Sequence, residues 1–445
     1  MTPPFSPGAG RSARRRAPAA SPLEALRLGN YRLFLAGQLL SVSGTWVQRV
    51  AQDWLVLDLT NGSGVALGVV SAIQYTPMLL LGSWGGLLAD RYSKRLVLII
   101  TQSVLALAAT ALGVLALTGR LTLTHVYVLA AVMGVAAAVD NPTRQSFLIE
   151  LVGRERLHAA VGLNSATFNV ARMIGPAVGG ALIVLVGAGP AFLVNAASFL
   201  VVIASVVLMG GESLFVEPPT VRARGQIRAG WAYILQDRRV GATIGLVFIT
   251  STFAMNWPVL LALSARSRYG TGAQGYGVLL TALAIGSLAG ALVSAWRARP
   301  SFAYLLLATA AFGVTEAAAA LMPDYGWFLG TLVPLGFLSL AVNTTANSLV
   351  QVVTPYELRG RVMSAFVMAT AGGTPLGGPI LGLLSEQWGP AAALAFGGCA
   401  SLLATGAAAL MVGRGRRQTR GTAGEGAQTS DGDKEAEMAR ESDGF

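Results

Sequence analysis

Charged residues and cysteine are both scarce in this sequence. Charged side chains make up only 12% of the 445 residues, whereas hydrophobic ones make up 53%. Soluble globular proteins carry about 25% charged residues, so the composition indicates a membrane protein. Cys399 is the single cysteine, which excludes an intrachain disulfide and a thiolate metal cluster. The two histidines, His125 and His158, lie far apart, and we expect neither a metal site nor a cofactor.

Lysine is scarcer still, and this bears on how the protein is energised. Lys94 and Lys434 are the only lysines, and neither lies in the G-x-x-x-x-G-K-[ST] pattern of a nucleotide-binding P-loop. The sequence also lacks a cluster of histidine, cysteine and carboxylate residues with the spacing of metal ligands. We therefore expect neither an ATP-driven pump nor an enzyme.

Long apolar runs are what the sequence has in abundance. A helix needs about 20 mainly apolar residues to cross a bilayer, and twelve windows meet this requirement. The predicted class is therefore an all-α integral membrane protein. Its predicted spans are about 33–57, 65–88, 96–117, 123–146, 159–185, 190–211, 240–262, 275–295, 302–321, 327–351, 362–385 and 390–412.

The basic residues predict how these spans are oriented. The net charge is +11, and the basic residues fall in short clusters between apolar runs, which is typical of loops at an anionic membrane surface rather than of a nucleic-acid-binding face. Most of them lie in the tails and in the loops that follow even-numbered spans. Only Arg120, Arg266 and Arg268 fall in loops that follow odd-numbered spans, on the other side of the membrane, and Arg49 and Arg172 fall inside predicted helices. We expect a monomer that crosses the inner (cytoplasmic) membrane many times, with both termini in the cytoplasm.

The longest loop divides the predicted helices into six and six. Before the first span, MTPPFSPGAGRSARRRAPAASP lacks the apolar core of a signal peptide, and the residues after the last span are polar enough to be disordered. The predicted units are an N-terminal cytoplasmic tail (1–30), a first six-helix half (31–211), a central cytoplasmic loop (212–239), a second six-helix half (240–412) and a disordered cytoplasmic tail (413–445).

The two halves repeat one another. AVDNPTRQSF in the fourth span aligns with AVNTTANSLV in the tenth, which sets Asp140 against Asn343 and Arg144 against Asn347. GPAVGG and TPLGG follow in the same order in the two halves. Parallel repeats of this kind predict a secondary transporter whose substrate site lies at mid-membrane between the halves.

The loop GLLADRYSKR resembles the signature of the major facilitator superfamily, G-x-x-x-D-R-x-G-R-R/K. Gly86, Asp90, Arg91 and Arg95 match it, whereas Ser93 replaces the usual glycine. The resemblance implies a conformational latch, in which Asp90 lies against the start of the eleventh helix while Arg91 and Arg95 join a cytoplasmic charge network. The other interpretation, that the basic residues only set the topology, leaves Asp90 unexplained.

ARMIGPAVGG in the fifth span resembles the motif of the drug-antiporter branch of this superfamily. Gly175, Pro176, Gly179 and Gly180 match it, and Ala171 stands where a glycine is common. The resemblance implies a bend that helps to seal the outer face during exchange; a bend that serves packing alone is the alternative. The opening NYRLFLAGQLLSVSGTWVQRVAQDWLVLDLT further resembles the exporter group that includes enterobactin exporters, macrolide efflux pumps and Tap-type multidrug pumps.

The first span carries charges, although an ionised side chain near the centre of a bilayer costs at least about 2.5 kcal/mol. We expect its polar residues, which share an arc of about 140° on a helical wheel, to face a central cavity or a neighbouring helix. The arc either binds substrate or protons, or holds the helix in the bundle through a structural Arg49–Asp53 ion pair. Its members are Gln38, Ser41, Thr45, Gln48, Arg49, Gln52 and Asp53.

Carboxyl groups at membrane depth are candidates for proton coupling. Only Asp53, Asp140 and Glu316 fall there. Asp53, near Arg49, is the first candidate and Asp140, one turn from Arg144, is the second, because a changing charge partner lets a carboxyl gain and lose a proton. Glu316 lies near the outer end of its helix, where we expect an interfacial position.

The remaining candidates for the cavity are one arginine and four uncharged residues. We expect Arg172 to pair with Asp53 or Asp140, because an uncompensated guanidinium inside a membrane is costly. Uncharged amide and aromatic groups suit a broad amphipathic substrate, and hydrogen bonding between helices explains them equally well. These four residues are Asn256, Trp257, Asn343 and Asn347.

Together these features favour a secondary active transporter that exports small, largely hydrophobic molecules, such as drugs or siderophores, in exchange for protons. Uptake of a small solute by symport is an alternative within transport. A non-transporting membrane receptor or scaffold on the same fold is a third interpretation, in which Asp53 and Arg172 would serve packing only.

Overall fold

The protein is a bundle of long helices. The computed structural model describes residues 22–210, 215, 227–295 and 300–413, and every regular element among them is helical. Two short helices, Pro22–Leu26 and Ile227–Gln236, accompany twelve long ones. The long helices are α1 (Gly29–Leu59), α2 (Gly64–Arg91), α3 (Lys94–Leu117), α4 (Leu123–Gly153), α5 (Glu155–Val186), α6 (Ala188–Leu208), α7 (Arg238–Arg268), α8 (Gly272–Ala295), α9 (Phe302–Ala320), α10 (Tyr325–Val353), α11 (Tyr356–Trp388) and α12 (Pro390–Gly413).

Among the described helices, eleven are long and apolar enough to cross a membrane. The twelfth is α1, which has 31 residues but carries both charged and amide side chains. At a rise of about 1.5 Å per residue, α1 is still longer than the ~30 Å hydrocarbon core of a bilayer. The all-α membrane fold predicted from the sequence is therefore confirmed.

Short, capped connections separate the helices. Ser63 caps α2 by accepting a hydrogen bond from the Ala66 amide at 3.1 Å. Asp324 caps α10 in the same way, with the Trp327 amide at 3.0 Å. Between α4 and α5, Gly153 adopts a positive φ of 72°, a conformation that glycine reaches without strain. The helix before it therefore continues past the predicted end of the fourth span.

The segment predicted as a central loop contains a helix. Ile227–Gln236 packs against α11, and the Tyr233 hydroxyl donates a hydrogen bond to the Val353 carbonyl at 3.4 Å. Ile234 is buried there, so this part of the chain has a packed apolar side that the loop prediction overlooked. The rest of that segment up to residue 226, apart from residue 215, lies outside the described residues, as do most of the N-terminal tail and the C-terminal tail from residue 414.

Two helix pairs join the first six helices to the last six: α2 packs along α11, and α5 packs along α8. Glycines bring the backbones together at both contacts. A Cβ on Gly68 would lie only 2.3 Å from the Gly378 carbonyl oxygen, and one on Gly180 would lie 2.7 Å from the Ala273 carbonyl oxygen. Small residues permit this approach, which supplies packing energy where lipid offers no hydrophobic driving force.

The close contacts between the halves lie at one end of the bundle. We name the end where α1 begins and α12 finishes the terminal end, and the other the far end. Gly68, near the start of α2, and Gly378, near the end of α11, both lie toward the far end. At the terminal end, by contrast, Trp84 of α2 is 68% exposed and Tyr356 of α11 is 82% exposed. The described backbone contacts and hydrogen bonds between the halves therefore close the far end, and none of them lies at the terminal end.

Candidate functional site

A cavity enters the bundle from the terminal end. Its mouth, about 740 Å³ in volume, lies among α1, α4 and α5 and shares Gln38 and Arg144 with a deeper chamber of about 450 Å³. The chamber in turn shares Arg49 and Arg172 with a space of about 120 Å³ between the halves. Ligand pockets commonly measure about 300–1,000 Å³, so the chamber suits a small organic molecule.

One wall of the chamber is formed by α1. Its lining residues recur at intervals of three and four: Gln38, Ser41, Val42, Thr45, Trp46 and Arg49. The predicted polar arc is wider than this wall, and Gln48 and Gln52, each 3% exposed, line none of the three spaces. Gln48 accepts a hydrogen bond from Asn195 of α6 at 2.7 Å. Gln48 therefore faces a neighbouring helix, which is one of the two surroundings expected for the polar arc. A role in the cavity for Gln48 and Gln52 stays a prediction.

Two arginines project into the deep end of the chamber. Arg49 donates a hydrogen bond to the Tyr75 hydroxyl, and its guanidinium lies 5.5 Å from the centre of the Trp46 ring. Arg172 lies 6.0 Å from the same ring. Neither arginine forms an ion pair with a described carboxylate. The expected pairing of Arg172 with Asp53 or Asp140 is therefore wrong in this conformation, since an aromatic face and the cavity provide its surroundings instead.

Asp140 is held by three donors. Arg144 forms an ion pair with it at 2.7 Å, and Thr101 and Gln102 of α3 donate to its other oxygen at 2.7 and 2.8 Å. Arg144 also donates to Gln38 of α1 at 2.5 Å. The Asp140–Arg144 pair therefore links α4 to α3 through the carboxylate and to α1 through the guanidinium, and both carboxylate oxygens accept hydrogen bonds.

Asp53 has a much sparser environment. It is 4% exposed, and its one hydrogen bond comes from the hydroxyl of Tyr276 on α8, at 2.6 Å. Asp53 lies on α1 about one turn beyond Arg49, between the chamber and the closed far end. Its one hydrogen-bond partner among the described residues therefore belongs to the opposite half of the protein.

Further contacts between the halves follow toward the far end. Asp58 of α1 forms an ion pair with Arg266 of α7. Glu386 of α11 accepts hydrogen bonds from the Ser63 hydroxyl at 2.6 Å and the Val65 amide at 3.0 Å, where α2 begins. These bonds join the same two halves as the Asp53–Tyr276 bond, so all of them must break when the far end opens.

The glycines of the fifth-span motif lie at helix contacts. A Cβ on Gly175 would lie 2.5 Å from Cβ of Trp46, and one on Gly179 would lie 3.0 Å from Cα of Val47. Gly180 is the residue that faces α8, as described above, and Pro176 lines the space between the halves. The motif thus lets α5 touch both α1 and α8 on the closed side; its sealing role during exchange remains a prediction.

The proposed latch is only partly described. Gly86 lines the mouth of the cavity, Arg91 is exposed, and Arg95 donates to the Val207 carbonyl of its own half at 2.7 Å. The side chain of Asp90 lies outside the described residues. The contact of Asp90 with the start of α11 therefore stays a prediction.

The uncharged candidates of the second half separate into two pairs. Asn256 and Trp257 line the space between the halves, together with Arg49 and Arg172. Asn343 instead donates hydrogen bonds to the Ser339 carbonyl at 3.2 Å and to the sulfur of Met255 on α7 at 3.5 Å. Asn347 accepts a hydrogen bond from Gln351 at 2.5 Å. Neither Asn343 nor Asn347 lines one of the three spaces.

Sequence reasoning did not identify the two tyrosines that bind the charges of α1. Tyr75 follows Gln74 and precedes Thr76, and this polar run within an apolar helix could have indicated a segment that does not face lipid. Tyr276 had no such signal, because nothing local relates it to Asp53, which lies 223 residues away.

A two-half helical bundle that is closed at one end, and that holds a charged cavity open to the other, is the architecture of an alternating-access membrane transporter. Residues 20–420 match the family described as transmembrane secretion effector, of the major facilitator superfamily. The chain belongs to this family. It is a multi-pass membrane transporter of small-molecule substrates and not an enzyme.

Characterised relatives are similar over differing lengths. The chain is 27% identical to the multidrug efflux pump Tap of Mycolicibacterium fortuitum, over 81% of this chain and 90% of that protein. It is 27% identical to the enterobactin exporter EntS of Shigella boydii, over 72% of this chain and 76% of that one. The match to the staphyloferrin A transporter of Staphylococcus aureus is 31% identical but covers only 39% of this chain and 43% of that protein. The predicted resemblance to this exporter group is confirmed.

A solved structure of the same fold is that of a POT family transporter bound to a thioalcohol-conjugated peptide. It superimposes with a TM-score of 0.69 over 86% of this chain and 96% of that one, at 13% sequence identity. At this identity the likeness concerns the fold alone.

Proposed function

We propose that this protein exports small, largely hydrophobic molecules, such as drugs or siderophores, in exchange for protons. The observation that carries the proposal is Asp53, a buried carboxyl beyond the deep end of the chamber whose one hydrogen-bond partner, Tyr276, lies on the other half. Export as the direction is supported by the similarity to an efflux pump and an enterobactin exporter.

The position of Asp53 suggests how proton and substrate exchange. In the conformation described here, the chamber is open at the terminal end and receives substrate from that side. Rocking the halves open at the far end separates Asp53 from Tyr276, because the two belong to different halves. The carboxyl then faces the far solution and takes up a proton while substrate leaves. Closing the far end carries that proton back toward the chamber, where the next substrate displaces it.

The chamber supports a largely hydrophobic substrate with a polar or anionic part. Much of its wall is aromatic or thioether surface: Trp46, Tyr75, Met78, Met133, Phe168 and Phe199. Arg49 and Arg172 add two guanidinium groups that form no ion pair with a described carboxylate. Such a site can stack on aromatic groups and pair with acidic ones.

We also propose the orientation and assembly of the transporter. The terminal end faces the cytoplasm of the inner membrane, because most basic residues lie in loops and tails at that end. The functional unit is a monomer, because the chamber and the contacts that close the far end are built within one chain.

The test uses inside-out vesicles with an acidic lumen, whose pH is followed while candidate drugs and siderophores are added. A substrate should trigger proton efflux in the wild type and in the control Glu155→Gln, which changes an exposed carboxyl. The Asp53→Asn variant should insert normally and give no efflux, because its side chain cannot release a proton. An equal response in Asp53→Asn would exclude Asp53 as the coupling residue. Proton uptake in the opposite sense would establish symport instead.

A further inference from the structure

Glu316 of α9 is a buried carboxyl that neither the chamber nor the far-end contacts use. It is 0% exposed, and neither of its oxygens has a hydrogen-bond partner in the part of the chain that the structure describes. Neighbouring helices cover Glu316, as the contacts of Gly397 on α12 show. Its position near the outer end of α9, at the depth of the membrane interface, stays a prediction.

Glu316 lies beside a break in α7. The helix stops at Phe253 and resumes at Trp257, with Pro258 at its second residue. The amides of Ala254 and Met255 both bond to the same carbonyl, and Pro258 has no N–H to offer to the carbonyl of Ala254. The Phe253 carbonyl likewise receives no backbone hydrogen bond from Trp257. The break therefore leaves the carbonyl oxygens of Phe253 and Ala254 without the backbone N–H donors that an unbroken helix would supply.

These acceptors and the carboxyl share one small space. A Cβ on Gly397 would lie 2.5 Å from the Phe253 carbonyl oxygen and 2.9 Å from Oε1 of Glu316. The glycine keeps this space open between two oxygens that both need a donor. An ionised carboxylate facing a carbonyl here would be buried, without a hydrogen-bond donor and repelled by the carbonyl oxygen, which is unfavourable.

No charged group of the surrounding helices compensates Glu316. The helices α10 and α12 carry no acidic or basic residue. The charged residues of α7 are at its ends, and the nearer ones bond elsewhere: Arg266 pairs with Asp58, and Arg268 donates to the carbonyls of Ala320 and Met322 at 2.8 and 2.7 Å. The Tyr325 hydroxyl at the start of α10 bonds to the Gly275 carbonyl at 2.9 Å.

We propose that Glu316 and the break in α7 form a proton-binding site in the second half of the protein, separate from Asp53. The bound proton makes the carboxyl a donor, and its O–H bonds to the unpaired carbonyl of Phe253. A sodium ion is the alternative occupant of a site with unpaired oxygens, and the test below separates the two. The opposite side of the same break, at Asn256 and Trp257, lines the central space. The site therefore adjoins the central space through the break in α7.

The site is tested by infrared spectroscopy of the purified full-length protein at about pH 8, where exposed carboxyls with ordinary pKa values near 4 are ionised. A band from protonated carboxylic acid should remain in the wild type and shift in deuterated water. The Glu316→Gln variant should lose that component, whereas the exposed control Glu155→Gln should retain it. In Asp53→Asn the component that depends on Glu316 should also persist.

Three results would overturn the proposal: no protonated band in the wild type at this pH, a full band in Glu316→Gln, or loss of the band when sodium chloride replaces potassium chloride. Absence of the band in the wild type overturns the proposal even if a variant fails to fold, whereas the assignment of the band to Glu316 rests on its loss in Glu316→Gln and its persistence in Asp53→Asn. Because no transport is measured, this test is independent of export and of antiport.

Discussion

Alanine in place of Gly68 tests the closed far end directly. The added Cβ would lie 2.3 Å from the Gly378 carbonyl oxygen, 2.4 Å from its carbon and 2.5 Å from the Pro379 nitrogen. All three atoms belong to the backbone, so no side-chain rotation relieves the clash. Ordinary contact requires at least 3.4 Å, and α2 and α11 must therefore move apart by about 1 Å at the point of closest approach.

A matched substitution on the same helix isolates this effect. Gly82→Ala also replaces a glycine inside α2, but nothing lies within 4 Å of its added Cβ. Both variants gain about 1 kcal/mol of helix propensity, and only Gly68→Ala incurs an overpacking cost of about 1–3 kcal/mol. Gly82→Ala should therefore be neutral or stabilising, while Gly68→Ala should be less stable than Gly82→Ala by roughly that overpacking cost.

Thermal unfolding of the purified variants measures the difference, and hydrogen–deuterium exchange locates it. In Gly68→Ala, peptides from the far-end parts of α2 and α11 should exchange faster than in Gly82→Ala, because the clash favours the conformation that is open there. Equal melting temperatures, together with unchanged exchange in these peptides, would refute the close contact between the two helices.

Two further substitutions compare a buried ion pair with an exposed one. Asp140→Asn leaves the guanidinium of Arg144 without its charge partner at a site where Arg144 is 13% and Asp140 4% exposed. We therefore expect a loss of about 3 kcal/mol in the free energy of unfolding. An unchanged melting temperature would contradict the structural role of this pair. Asp58→Asn removes a pair whose side chains are 28% and 52% exposed, and it should cost less than about 1 kcal/mol. A larger loss in the same melting assay would show that Asp58 does more than pair at the surface.

Much of the fold could be predicted because its determinants are local. Each long apolar run predicted one membrane helix, since a span needs only a sufficient length of suitable residues. The sequence also predicted that Gly175, Gly179 and Gly180 lie at close helix contacts, because small residues at helical spacing permit close approach of a neighbour. It did not predict which helices they contact. The polar arc of α1 identified a helix that could not face lipid on all sides.

The partners of each polar residue were decided only by the tertiary structure. Gln48 and Arg49 are adjacent in sequence, yet the rotation of α1 turns one toward α6 and the other into the chamber. Asp53 meets Tyr276 because two separate halves close upon each other, which no local pattern encodes. The sequence by itself determined which residues form the helices and that some charges lie at membrane depth. The packing of all twelve helices decided which charge is paired, which faces the cavity and which, like Glu316, is buried without a partner.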